Sequence, residues 1–208
     1  MKKIGSILVL MGLSVVLFGG CQKVDNTEKE TATTEVSTES VTSEALHHVE
    51  IEVANYGIIS VELDETYAPI SVKNFMKLAD EGFYDGLTFH RIIDGFMIQG
   101  GDPLGTGMGG TEEKIKGEFS SNGVENPVSH VRGTISMARS REPDSGSSQF
   151  FIVQQDSTHL DGGYAAFGKV TEGMEIVDKI CEEIPVTDGN GTVEKANQPV
   201  ITSIKVID

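Results

Sequence analysis

Apolar and polar residues alternate over residues 49–53 and again over residues 59–63. A period of two places successive side chains on opposite faces of a strand, so each segment can bury one apolar face. Asn55, Tyr56 and Gly57 lie between the two segments and are suited to a turn. The pattern therefore predicts an opening β-hairpin.

Two later segments have a helical period instead. The first begins at Pro69 and ends before Gly82, and its apolar residues form one stripe: Val72, Phe75, Met76 and Ala79. The second follows Gly173 and is shorter, with Met174, Val177 and Cys181 on one face. We expect two amphipathic helices.

Short apolar runs separated by glycine-rich turns predict the remaining strands, at residues 89–93, 96–99, 134–138, 149–153, 165–170 and 200–207. About eight strands and two helices indicate a mainly β fold. Closing an antiparallel sheet on itself removes its exposed edges. We therefore expect a closed eight-stranded antiparallel β-barrel flanked by two α-helices.

The N-terminal residues follow neither pattern. Lys2 and Lys3 precede an apolar and small-residue stretch over residues 4–18, which is typical of a secretory signal and short for a membrane span. The stretch ends in Gly19-Gly20-Cys21, which resembles a lipobox, where a peptidase cleaves before a cysteine that receives lipid. We expect residues 1–20 to be a lipoprotein signal peptide and Cys21 to carry palmitate at the extracytoplasmic face of the cell membrane. The alternative is an ordinary secreted protein.

Residues 22–48 are rich in Thr, Ser and Glu and contain almost no large apolar side chains, so they cannot offset the entropy cost of ordering. Residues 21–48 are thus predicted to be a lipidated cysteine and a disordered tether, and residues 49–208 the folded domain. His47 and His48 are interpreted as a chance pair at the end of the tether rather than metal ligands. Once Cys21 carries lipid, Cys181 has no partner for a disulfide.

The charge balance excludes some partners. The chain has 16 basic and 32 acidic residues, a net charge of -16, which disfavours binding to nucleic acid and attachment to an anionic membrane through a basic patch. Two motifs are also set aside: Gly105, Gly107 and Gly110 lack the βαβ unit of a dinucleotide site, and Asp188-Gly189-Asn190 is a turn rather than a calcium loop.

Two segments carry chemistry: Phe89-His90-Arg91-Ile92-Ile93-Asp94-Gly95-Phe96-Met97-Ile98-Gln99-Gly100-Gly101-Asp102 and Ser148-Gln149-Phe150-Phe151-Ile152. Both resemble the cyclophilins, and the resemblance extends over residues 49–208. It implies a peptidyl-prolyl cis-trans isomerase that needs no cofactor or metal. Its expected partners are proline-containing segments of exported polypeptides, whose folding it would assist at the outer face of the membrane.

The resemblance also implies roles for individual residues. Arg91 is the expected catalytic residue, and Gln99 orients it and contacts the substrate. The proline pocket is formed by Phe96, Met97, Phe151 and Leu160. The groove for the residue before proline, with its neighbouring wall, is formed by Ala138, Arg139, Gly107 and Gln149.

Tyr164 stands where many members have His. His159 replaces a Trp that helps to bind cyclosporin, so we expect cyclosporin binding to be weakened, and Arg139 replaces the usual Asn.

The chemistry of the reaction agrees with this assignment. Amide resonance gives peptide-bond rotation a barrier of about 18–20 kcal/mol, and no covalent bond has to break. A charged hydrogen bond from Arg91 to a twisted amide contributes roughly 1.5–3 kcal/mol, which lowers the barrier only in part. The proline pocket must therefore supply the remaining stabilisation of the twisted state. Two alternatives remain open: a lipoprotein that holds extended peptides without isomerising them, and an adhesin, which depends on the predicted location alone.

Overall fold

The computed structural model describes residues 45–208. The predicted signal peptide, Cys21 and most of the predicted tether lie outside the described residues. Eight strands and two α-helices form the described domain: β1 (Leu46–Val53), β2 (Gly57–Asp64), α1 (Pro69–Asp80), β3 (Phe89–Ile93), β4 (Met97–Gly100), β5 (Thr134–Met137), β6 (Phe150–Val153), β7 (Ala165–Glu172), α2 (Met174–Glu183) and β8 (Ile201–Val206). Each predicted strand and helix is present, with small shifts at its ends.

The eight strands form one antiparallel sheet in the order β3-β4-β6-β5-β7-β2-β1-β8. The prediction of a closed barrel is wrong, because no strand ladder joins β3 to β8 among residues 45–208, and Thr88 and Val200 form only an isolated bridge. The outer edge of β3 is instead occupied by residues 191–193, where the Gly191 carbonyl accepts a hydrogen bond from the Ile92 N–H at 2.8 Å. The sheet therefore curls into a half-barrel.

The core lies between the sheet and α1. The ring of Phe75 on α1 packs against Tyr84 at 5.1 Å and edge-on against Phe150 of β6 at 5.2 Å. The Glu118 carboxylate accepts hydrogen bonds from the N–H groups of Ile70 and Ser71, at 2.8 and 2.7 Å, and so satisfies two donors at the start of α1. α1 is thereby held against the buried face of the sheet.

Strand β1 begins at Leu46, before the predicted boundary at Val49. His47 and His48 continue the pairing with β2, and the His48 N–H donates to the Asp208 carboxylate at 2.7 Å. The two histidines are therefore part of the sheet rather than of a tether. Within residues 45–208, neither helix combines the length and apolar character that crossing a bilayer requires.

Candidate active site

A cavity of about 200 Å³ opens beside β3, β4 and β6. Nine side chains line it, all of them predicted site residues: Arg91, Phe96, Met97, Gln99, Ala138, Arg139, Phe151, Leu160 and Tyr164. The two remaining predicted residues of the folded domain, Gly107 and Gln149, line an adjoining cavity of about 390 Å³. Gln99, Ala138 and Arg139 border both cavities, so the two form a continuous groove.

Strand register explains why these residues meet. Arg91 on β3 lies opposite Gln99 on β4, and Gln99 lies opposite Phe151 on β6. Phe151 in turn lies opposite Ser136 on β5. Directly opposed residues of antiparallel strands point to the same face, so these four side chains form one row across the sheet. A charged side chain, an amide and an aromatic ring are thus placed side by side.

The guanidinium of Arg91 is held at two points. Its Nη1 donates to the Gln99 Oε1 at 3.1 Å, and its Nε donates to the Asn190 carbonyl at 2.8 Å. Gln99 is itself fixed, because its Nε2 donates to the Gln149 Oε1 at 2.8 Å. Partial burial lowers the pKa of Arg91, with Tyr164 and Asp188 opposing this effect, and an arginine remains charged in proteins.

The floor of the cavity is apolar. Met97 and Phe151 are 1% and 5% exposed, and Phe96, Ala138, Leu160 and Tyr164 pack around them. The Tyr164 ring meets the Phe151 ring edge-on at 5.8 Å. This cluster is separate from the main core, and it forms an apolar slot within the cavity of about 200 Å³. His159 packs beside Phe96 at the rim, with ring centroids 5.8 Å apart.

Arg139 lies in the groove but is engaged by the protein itself. Its guanidinium sits over the rings of Phe119 and Tyr164, at 5.0 and 4.6 Å. Its Nε and Nη2 donate to the Gly163 carbonyl at 2.9 and 2.7 Å, and its Nη1 donates to the Ser140 carbonyl at 2.8 Å. Arg139 therefore ties the segment carrying Leu160 and Tyr164 to the end of β5. The predicted place of Arg139 in the groove for the residue before proline stays a prediction.

A chain of three polar residues behind the cavity was not predicted; His130 and Ser136 are buried, and Asp161 is exposed. The His130 Nδ1 lies 2.9 Å from the Asp161 carboxylate, and its Nε2 lies 3.0 Å from the Ser136 hydroxyl. The His130 ring stacks on Phe151 with centroids 6.0 Å apart. The order Ser-His-Asp resembles a hydrolase triad, but Ser136 is 0% exposed behind Phe151, where a substrate carbonyl has no access. The chain supports the wall of the slot instead.

The buried histidine predicts a pH dependence. Burial lowers the pKa of His130 below its ordinary 6.5, and contact with Asp161 only partly opposes this. At a pH near 6.5, the His130 side chain therefore binds a proton more readily in the unfolded chain than in the folded chain. The free energy of unfolding decreases as the pH falls below 6.5. The limiting slope is about 1.4 kcal/mol per pH unit for one histidine.

An NMR titration of the ring protons measures this directly. We expect a His130 midpoint below 6.5, with the resonance assigned by its loss in His130→Gln. Urea unfolding at several pH values should show a shallower slope between pH 6.5 and 5 in that variant. A midpoint at or above 6.5 contradicts the prediction.

The family model described as "Cyclophilin type peptidyl-prolyl cis-trans isomerase/CLD" matches residues 48–206. The chain belongs to this family. Among residues 45–208 of this cyclophilin, no three His, Cys, Asp or Glu side chains converge as a bound metal ion would require. Cyclophilins of this type are isomerases, and this chain is a peptidyl-prolyl cis-trans isomerase.

Relatives of this cyclophilin occur in several bacteria. It is 53% identical over 117 residues to peptidyl-prolyl cis-trans isomerase B of Bacillus subtilis, covering 56% of this chain and 78% of the relative. It is 43% identical over 156 residues to peptidyl-prolyl cis-trans isomerase A of Dickeya dadantii, covering 73% and 80%. A Cryptosporidium parvum cyclophilin, crystallised in the presence of the dipeptide Ala-Pro, matches with a TM-score of 0.68 and 34% identity, covering 77% of this chain and 99% of that one.

Proposed function

We propose that this cyclophilin isomerises X-Pro bonds in exported proteins, with Arg91 as the catalytic residue and the Phe151 slot as the proline site. One observation carries the assignment of the site: a fixed guanidinium lies at the mouth of an apolar slot, in one row with Gln99 and Phe151. The C. parvum relative was crystallised in the presence of Ala-Pro, which supports a proline-containing substrate for this family.

The proposed mechanism depends on the site binding the twisted amide more strongly than the planar one. Within residues 45–208, the Nη2 of Arg91 donates to no protein group, so it is available to a substrate carbonyl or imide nitrogen. As the amide twists, resonance is lost, the nitrogen becomes a better acceptor, and a donor beside it binds the twisted state more strongly than the planar one. The slot holds the proline ring while the other side of the bond turns.

Gln99 orients Arg91 in this proposal. Its amide oxygen accepts from Arg91, and its amide nitrogen is occupied by Gln149, so the guanidinium plane is set by a chain of two glutamines. Gln149 is fixed in turn, because its Nε2 donates to the Gly109 carbonyl at 2.7 Å. The donors are therefore oriented before the substrate arrives, which reduces the cost of reorganisation during the reaction.

Attachment to the membrane is the second part of the proposal. Its support is the sequence of residues 1–48: a short apolar segment after two lysines, a cysteine in a lipobox-like position, and a polar spacer. Uncatalysed X-Pro isomerisation takes tens to hundreds of seconds, so an isomerase held near the site of export would accelerate slow-folding clients.

Substitution of Cys21 tests the attachment. In Cys21→Ser we expect no incorporation of radiolabelled palmitate, and release of the protein from the membrane fraction. Cys181→Ser is the matched control, because Cys181 is buried and burial raises the pKa of its thiol to about 12, which leaves it unreactive. A wild-type protein that takes up no palmitate would favour the ordinary secreted form.

The cellular role is tested by the folding of exported proteins in cells that carry either the wild-type gene or Arg91→Ala. We expect slower acquisition of the folded state by secreted clients in the variant, at equal amounts of the isomerase at the membrane. Equal client folding in both strains would remove the proposed role in export and leave the enzymatic assignment intact.

A further inference from the structure

The turn formed by residues 188–192 packs directly against the strand that carries Arg91. Arg91 and Thr192 form an isolated antiparallel bridge, and the Val193 N–H donates to the His90 carbonyl at 3.1 Å. The turn therefore extends the row of Arg91, Gln99 and Phe151 by one more position. The contact is close, because a Cβ on Gly191 would lie 2.2 Å from the Ile92 carbonyl oxygen, and Gly191 has a φ of +77°.

Asp188 gives this turn its shape. Its Oδ1 accepts from the N–H groups of Asn190 and Thr192, at 2.9 and 3.1 Å, and its Oδ2 accepts from the Thr192 hydroxyl at 2.9 Å. A carboxylate that bonds backbone groups two and four residues ahead holds one loop conformation. In that conformation, the Asn190 carbonyl points at Arg91 and accepts from its Nε at 2.8 Å.

The negative charge of Asp188 also helps to hold Arg91 in place. Hydrogen bonds from the backbone and side chain of Thr192 lower the pKa of Asp188, and the positive charge of Arg91 lowers it further. The carboxylate is therefore ionised at neutral pH, and the turn that carries it pairs with the edge of β3 opposite β4. The guanidinium is held between a neutral amide on one side and a negatively charged turn on the other.

We propose that Asp188 is a positioning residue for isomerisation, which fixes the 188–192 turn so that the Asn190 carbonyl aims the guanidinium of Arg91 into the proline slot. The inference rests on the proposed catalytic role of Arg91. An arginine side chain has several rotatable bonds, so a single contact with Gln99 leaves the guanidinium free to swing. A donor that is displaced by a fraction of an ångström stabilises the twisted amide less, while the proline slot itself is unchanged.

The test compares Asp188→Ala with Asp188→Asn in a proline-peptide isomerisation assay on the purified protein. We expect Asp188→Ala to lower kcat about three- to tenfold with little change in KM, since the loss of a few hydrogen bonds releases the turn. Asp188→Asn keeps an acceptor for both N–H groups and should recover most of the rate. Asp64→Ala is the matched control, because Asp64 bonds the Thr66 N–H in a remote turn, and it should retain the wild-type rate.

A double-mutant cycle separates positioning from a general loss of structure. In the Arg91→Ala background, Asp188→Ala should cause no additional loss, because there is no guanidinium left to position. An equal loss in both backgrounds, or a wild-type kcat in Asp188→Ala, would overturn the inference while leaving the role of Arg91 standing. A wild-type rate in Arg91→Ala alone would overturn both.

Discussion

Replacing Arg91 with alanine is expected to lower kcat/KM for a proline peptide about ten- to hundredfold, with most of the loss in kcat. The reason is the charged hydrogen bond, which contributes roughly 1.5–3 kcal/mol, where each 1.4 kcal/mol corresponds to about a factor of ten. The interaction is stronger with the twisted amide than with the planar one, so removing it raises the barrier more than it weakens binding. An isomerisation assay over a range of peptide concentrations gives both constants.

Two further variants sharpen this measurement. Arg91→Lys keeps the charge but loses the planar fork of donors, and we expect an intermediate rate. Arg132→Ala removes an arginine that pairs with Asp178 at 2.7 Å, outside the residues that line the cavity, and it should isomerise at the wild-type rate. If Arg91→Ala instead matches the wild type, the guanidinium has no catalytic role, and the alternative of a peptide-holding protein regains support.

The elements of the fold were predictable because their signals are local. Alternation over residues 49–53 and the helical stripe after Pro69 each depend on neighbours within one element, and both elements are present. Closure of the sheet depends on a distant pairing instead. Residues 191–193 lie about a hundred positions after β3 and take the edge that β8 would need, so no pattern within β3 or β8 could exclude a closed barrel.

The site residues could be predicted for a related reason, because their signals are also local. Arg91, Gln99 and Phe151 belong to short segments that carry the family resemblance, and strand register brings those segments together. The supporting residues carry no comparable signal. His130 and Asp161 are single residues 31 positions apart, and Asp188 belongs to a turn sequence common in many proteins. Their contribution depends on contacts made only after the sheet has formed.

Truncation of Phe151 to alanine is expected to have the second large effect, and a different kinetic signature. The ring forms the floor of the slot, and its loss removes apolar contact with the proline worth about 1.5–3 kcal/mol, or roughly a ten- to hundredfold decrease in kcat/KM. In the proposed mechanism, the slot holds the proline ring in both the planar and the twisted states, so we expect the change to appear mainly as a higher KM.

Stability has to be separated from this effect, since Phe151 is 5% exposed and a buried Phe→Ala change typically costs about 3–5 kcal/mol. Urea unfolding of each variant shows whether the folded state is populated under the conditions of the assay. Phe151→Leu refills most of the volume and should retain most of both stability and activity. Phe96→Ala truncates a partly exposed wall of the same slot, so it should raise KM with a smaller loss of stability. An unchanged KM in folded Phe151→Ala and Phe96→Ala would mean that the proline ring binds elsewhere, because a slot that holds the ring cannot lose its floor or its wall without binding the ring more weakly.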